Sequence, residues 1–270
     1  RFSPRQAVNR SQRTAAPRLL AASAQRKSGP RAAPFTHLRP NRTLMSFLRF
    51  DKTQMTNLQE SLMKEFLLTN KSGAYCSSTL TGCNIRKYHG LFVVPVPSLD
   101  DDHVLLSSLD ETVVQHGAEF NLGLHKYVGD NFSPRGHKYI QSFEWDKVPT
   151  WIYRIGGVVL KKEIIFRNER DRLFIRYTLL EAHSPTLRLR PFLAFRSVRQ
   201  WTHENGTART EAHAVEQGVS FRLYEGYPDL VMQLDSPAAV YHHTPDWYRG
   251  LDYPKERERG YDEPEDLFVP

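Results

Sequence analysis

EFLLTNKSGAYCSSTLTGCNIRKYHGLFVVPV, residues 65–96, is the stretch from which the rest of the chain is read. An apolar run, Phe66-Leu67-Leu68, stops at Asn70-Lys71-Ser72-Gly73, where Asn, Ser and Gly supply turn chemistry. Mostly small residues follow from Ala74 to Cys83, interrupted by Tyr75. A dense polar knot comes next: Asn84, Arg86, Lys87, Tyr88 and His89. It ends at Gly90 and runs into Leu91-Phe92-Val93-Val94, a short apolar run closed by Pro95 that reads as a buried strand. A polar knot at the mouth of a buried strand is where a rigid element holds a binding loop in place. The plainer reading has Arg86 and Lys87 solvated and Tyr88 and His89 capping the sheet.

Beyond Gly90 the chain becomes a succession of strand-like runs, at 91–96, 104–108, 112–115, 137–143, 151–155, 158–166, 173–180, 187–195, 219–224 and 230–234. Leu187 and Leu189 alternate with Arg188 and Arg190, the two-residue period of a sheet with one wet face. Gly156-Gly157 between two runs predicts a tight hairpin. Only one helical pattern precedes them, with Met55, Leu58, Leu62 and Met63 at three- and four-residue steps. Many short strands with close turn signals predict an all-β fold, a large antiparallel β-sandwich, over residues 45–270. After Tyr241 the strand signal fades into an aromatic, turn-rich segment and then a charge-dense one, and the sandwich reads as truncated.

Composition narrows the function classes. The net charge of +7 comes from residues 1–44, which hold ten Arg or Lys and no acid, leaving 27 basic against 30 acidic residues in 45–270. The folded part therefore lacks the cationic footprint that nucleic acid requires. Residues 1–44 show no apolar periodicity and are expected to be disordered, either as a basic leader or as a non-native extension before a natural start at Met45. No apolar run approaches the length of a membrane span. Two cysteines, Cys76 and Cys83, are too few for a disulfide scaffold and lack the partners of a zinc site. They read as buried thiols of a cytoplasmic protein.

The stretch also resembles the opening of the N-terminal domain of bacterial and archaeal glycogen debranching enzymes, of the amylo-alpha-1,6-glucosidase type. The likeness rests on Thr69, Asn70, Gly73 and Tyr75, then Asn84, Arg86, Tyr88, His89, Gly90 and Leu91. LLSSLDETVV (105–114), RPFLAFR (190–196) and DWYRGLDYPKERERGYD (246–262) are similar to later family segments, in the same order. The resemblance implies a supersandwich-like domain placed before a helical catalytic domain, which is absent from this chain. It implies hydrolysis of α-1,6-glucosidic branches in glycogen or a related α-glucan by the whole enzyme, without a cofactor.

Glycoside hydrolysis needs two carboxylates flanking one bond. Asp110 and Glu111 are neighbours, and on a strand neighbours face opposite ways, so they cannot form such a pair. Asp100-Asp101-Asp102 and His203-Glu204-Asn205-Gly206 read as turns. No catalytic residue and no metal site is assigned. Candidate interdomain or substrate-cleft residues are Asn84, Arg86, Lys87, Tyr88, His89, Trp247, Tyr248 and Arg249. Trp201, Tyr253 and Tyr261 are further rings able to meet a sugar face or pack into a core. Two other readings stay open: a stand-alone carbohydrate-binding module, and a self-sufficient hydrolase acting through Glu111, Glu204 and His89.

Overall fold

A computed structural model of the protein describes residues 18–22, 48–182 and 184–270. Its strands are β1 (Arg18–Ala22), β2 (Leu48–Asp51), β3 (Glu65–Thr69), β4 (Tyr75–Thr79), β5 (Gly90–Val96), β6 (Asp101–Gln115) and β7 (Ala118–Asn121). They continue as β8 (Leu124–Tyr127), β9 (Asn131–Arg135), β10 (Ile140–Trp145), β11 (Pro149–Ile155), β12 (Val158–Phe166) and β13 (Arg172–Glu181). The series ends with β14 (Thr186–Ser197), β15 (His213–Val215), β16 (Gly218–Phe221), β17 (Leu230–Leu234), β18 (Asp246–Leu251) and β19 (Glu265–Val269). Helices are short: α1 (Lys52–Thr56), α2 (Leu58–Ser61) and α3 (Pro254–Arg257). Nine strands form one sheet, in the order β15-β16-β17-β1-β13-β12-β11-β10-β2. Ten form the other, β3-β4-β5-β6-β14-β19-β18-β8-β9, with β7 beside β6. Pairing is antiparallel except at β1, which lies parallel to β13 and β17. The fold is an antiparallel β-sandwich.

Aromatic rings fill the space between the sheets. Phe66 meets Trp151 with centroids 5.5 Å apart, Phe143 meets Trp151 at 4.9 Å, and Phe92 meets Phe166 at 6.1 Å. The Trp151 indole N–H donates to the Leu80 carbonyl at 2.7 Å, which lets a polar group enter the core without an unmet donor. Each large side chain buried there contributes about 1.5–3 kcal/mol.

The ten-stranded sheet is also buried on its second face. Phe92, Leu105, Leu193, Phe195 and Phe268 join the main core, while Val93, Val104, Phe192, Ala194, Leu267 and Val269 form a separate cluster. That alternation along β5, β14 and β19 explains why residues 91–94 read as one unbroken apolar run: both faces are dry. The expected wet face holds for the first half of β14, whose residues 186–190 stay partly or fully exposed, and in the other sheet for β11 and the first part of β13, where buried and more accessible residues alternate.

Other expectations divide. Gly156 and Gly157 take φ of 47° and 90° between β11 and β12, as a two-residue hairpin turn with both residues left-handed requires. The helical pattern forms α1 and α2 alone; the Asp51 carboxylate accepts from the Gln54 N–H at 3.1 Å to cap α1. The strand signal does not end at Tyr241, because β18 and β19 follow it, with β19 next to β14 and β18 next to β19. Within the basic leader, residues 18–22 form β1; the rest of 1–44 lies outside the described residues. Among the described residues no helix is long and apolar enough to cross a membrane.

Candidate functional site

The knot is a loop between β4 and β5, and its side chains divide into an inner and an outer set. Asn84 is inner: its amide nitrogen donates to the Ser107 carbonyl at 3.0 Å and its oxygen accepts from the Ser78 hydroxyl at 2.8 Å, tying the loop to β6 and β4. His89 is fully buried. Its Nδ1 accepts from the Ile85 N–H at 3.3 Å, so Nε2 carries the proton and donates to Glu65 at 2.8 Å. Burial holds His89 below the ordinary imidazole range, in keeping with a neutral ring.

Glu65, at the start of β3, is the hub. The Arg86 guanidinium grips it with two bonds, Nε to Oε2 at 2.9 Å and Nη2 to Oε1 at 3.0 Å. The His89 hydrogen bond above all, and then Arg86, pull the Glu65 carboxyl down to about 2 despite partial desolvation. Both His89 nitrogens and both Glu65 oxygens are thus engaged. A carboxylate that stays ionised at neutral pH does not serve as a general acid, and a ring with no free lone pair does not serve as a base. The triad is a clamp.

The outer set is Lys87 and Tyr88. Tyr88 is 37% exposed, with Arg86 over its ring at 5.7 Å, while its backbone carbonyl accepts from the Tyr75 hydroxyl at 2.9 Å. The Lys87 ammonium lies 4.4 Å from the Tyr261 ring and 5.7 Å from that of Trp201. Its backbone N–H donates to Glu256 at 3.4 Å. Glu256, on α3, is fully buried and also accepts from Arg259 at 3.1 Å. The Lys255 N–H completes the junction, donating to the Ile85 carbonyl at 3.0 Å. Segments 84–90 and 255–261, far apart in sequence, meet here as one unit.

Trp247, Tyr248 and Arg249, on β18, look elsewhere. Trp247 packs on Phe268 at 5.5 Å, and the Tyr248 hydroxyl accepts from Arg190 at 2.6 Å. Arg249 pairs with Glu204. None of these partners belongs to the knot. Tyr253 is 3% exposed, and its hydroxyl donates to Glu265 in a buried network with Arg196. The residues of the self-sufficient hydrolase reading stand in three different settings. Glu111 is buried between the sheets, bonded by Lys162 at 2.6 Å and the Tyr177 hydroxyl at 2.5 Å. Glu204 is on the surface beside Arg249, and His89 is sealed in the clamp. Asp110 faces away from Glu111, accepting from buried His125 at 2.8 Å.

Glu65, Glu256 and Arg259 escaped the sequence reading. Their partners lie 21 positions away or more, or on a short helix with no periodic signal, so spacing gives no hint of the contacts. Among the described residues no group of three or more His, Cys, Asp or Glu is placed to hold a metal.

A family model described as glycogen debranching enzyme N terminal matches residues 64–270, a span that holds both the knot and the α3 segment. No curated protein and no solved structure matches the chain. On that match, which covers well over half of its length, the chain belongs to the glycogen debranching enzyme N-terminal family.

Proposed function

We propose that this domain serves a glycogen debranching enzyme in the hydrolysis of α-1,6-glucosidic branches of glycogen or a related α-glucan, with chemistry supplied by a separate helical catalytic domain. The observation that carries the reading is the family match across 64–270, together with the meeting of its two motif segments around Glu65 and Glu256. In this reading the clamp is structural. It fixes the loop so that Tyr88, Lys87 and Tyr261 form a partly exposed face towards the catalytic domain at the edge of its substrate cleft. Tyrosine is among the side chains enriched at interface hot spots. No cofactor is needed, and two buried, unpaired thiols suit a reducing compartment such as the cytoplasm.

The test compares Tyr88→Ala in this chain with the same change in the longer enzyme that the reading requires. The isolated domain should keep its thermal midpoint, while the longer enzyme loses interdomain stability and debranching rate together. Unchanged debranching in the longer enzyme overturns the docking role. If the isolated chain binds maltooligosaccharide and Tyr88→Ala abolishes that binding, a stand-alone carbohydrate module replaces it.

A further inference from the structure

One strand of the nine-stranded sheet breaks its pattern. β1 lies between β13 and β17 and runs parallel to both, with Leu20 opposite Phe174 on one side and Gln233 on the other. β13 and β17 therefore point the same way, with one strand between them. Every other pairing in this sheet is antiparallel. Alternate strands of an antiparallel sheet point the same way, so the gap between β13 and β17 has the shape left by one antiparallel strand. β1 fills it in the opposite sense and falls short of its length. It covers 172–176, while 177–181, the second half of β13, pair with β12 alone among the described residues, and Leu180 there is 51% exposed.

The walls of the gap select what fits. Their N–H and C=O groups require a strand, since an interior ladder without one leaves backbone polar groups unmet. Leu173, Ile175 and Tyr177 on β13 and Leu230 on β17 are at most 6% exposed, and along β13 they alternate with more accessible residues. A strand seated between them must be apolar at every second position. Its source follows from the sheets. Both walls lie within the matched span 64–270, whose described strands already hold places of their own, and β1 lies before that span. We propose that the gap is a strand-acceptor site for an extended segment of the longer enzyme from outside 64–270. That segment runs antiparallel to β13 and β17 and is apolar at alternate residues, and β1 is a plug that it displaces. The inference rests on the domain reading above.

The test is hydrogen–deuterium exchange, read by mass spectrometry, on this 270-residue chain and on the longer enzyme, each with and without Leu20→Pro. Proline brings no N–H to the ladder and is excluded from central strands. In this chain the change should make the gap-facing amides of 172–176 and 231–234 exchange about a hundredfold faster, as expected of a ladder that opens locally, while β5 and β6 keep their rates. In the longer enzyme the same amides should stay slow, because its own strand is seated. Fast exchange there makes β1 the permanent strand and overturns the proposal. Unchanged exchange in this chain overturns it as well, since β1 then plugs nothing. If Leu20→Pro unfolds the chain, β5 and β6 accelerate too, and the unmodified proteins decide. Gap-facing amides of 177–181 should then be fast in this chain and slow in the longer enzyme, and equal rates overturn the acceptor. A failed acceptor alongside an intact interdomain effect of Tyr88→Ala spares the domain reading. A filled gap without that effect does the reverse.

Discussion

At the residue scale, adjacent side chains in the knot do opposite work. His89 is buried with both nitrogens bonded, so His89→Phe leaves the Ile85 N–H and Glu65 short of a partner and should cost about 2–3 kcal/mol. Tyr88→Ala removes an exposed ring from beside Arg86 and should cost under about 1 kcal/mol. Urea denaturation of the two variants measures both, and equal losses would refute the division into clamp and face. Glu65 and His89 together shape the response to acid. Glu65 titrates near 2 in the folded chain against an ordinary 4.5, so folding favours its ionised form. That stabilisation is complete above about pH 4.5 and drains away as pH falls towards 2. Folding favours neutral His89, so its share begins to fall earlier, as pH drops below its ordinary 6.5. Stability should therefore decline on acidification in two stages. Glu65→Gln should flatten the lower stage, and a variant curve parallel to the parent between pH 4.5 and 2 would argue against the assignment.

At the element scale, the transition from knot to strand β5 depends on Gly90. A Cβ there would stand 2.6 Å from Val93 Cγ2 and 2.9 Å from Val104 Cγ1, and β-branched side chains in a packed sheet have little room to yield. Gly90→Ala should cost about 1–3 kcal/mol as an overpacked site. Gly206→Ala, with nothing within 4 Å of its added carbon, should stay within about 0.5 kcal/mol. Thermal unfolding of the pair decides it. Strands β4 and β5 were legible because turn residues and apolar runs are local signals, and the hairpin at Gly156-Gly157 was legible for the same reason. Strands β18 and β19 were not. Leu267, Phe268 and Val269 pack on both faces, and Glu265 is buried by Arg196 and Tyr253, so β19 shows neither alternation nor an unbroken apolar run. In the site, the polar knot was visible as a local cluster. The contacts that separate its anchors from its exposed face, Glu65 with Arg86 and Glu256 with Lys87, are set by topology, which periodicity does not encode.

At the scale of the whole molecule, the last strands are structural centre rather than tail. β19 lies between β14 and β18, and β18 in turn carries β8 and β9, so the far edge of the sheet and, through α3, the knot depend on residues 246–270. Removing that segment would uncover Phe192 and Ala194, which are 1% and 0% exposed, and delete Leu251, Leu267 and Val269 from the cluster they belong to. It would also leave Arg196, 3% exposed, without Glu265. An abandoned buried charge costs about 3–5 kcal/mol, and each uncovered large apolar side chain adds about 1.5–3 kcal/mol. Those losses together match the whole stability of an ordinary domain, about 5–15 kcal/mol. A chain ending at residue 245 should therefore show no cooperative melting transition and should bind a hydrophobic dye at room temperature. The single change Glu265→Ala isolates the electrostatic share, and should lower stability by about 3–5 kcal/mol with the transition still cooperative. A sharp transition in the shortened chain, within a few degrees of the parent, would mean that β18 and β19 are appended to a sheet complete without them. The junction of the knot with α3 would then contribute nothing to folding.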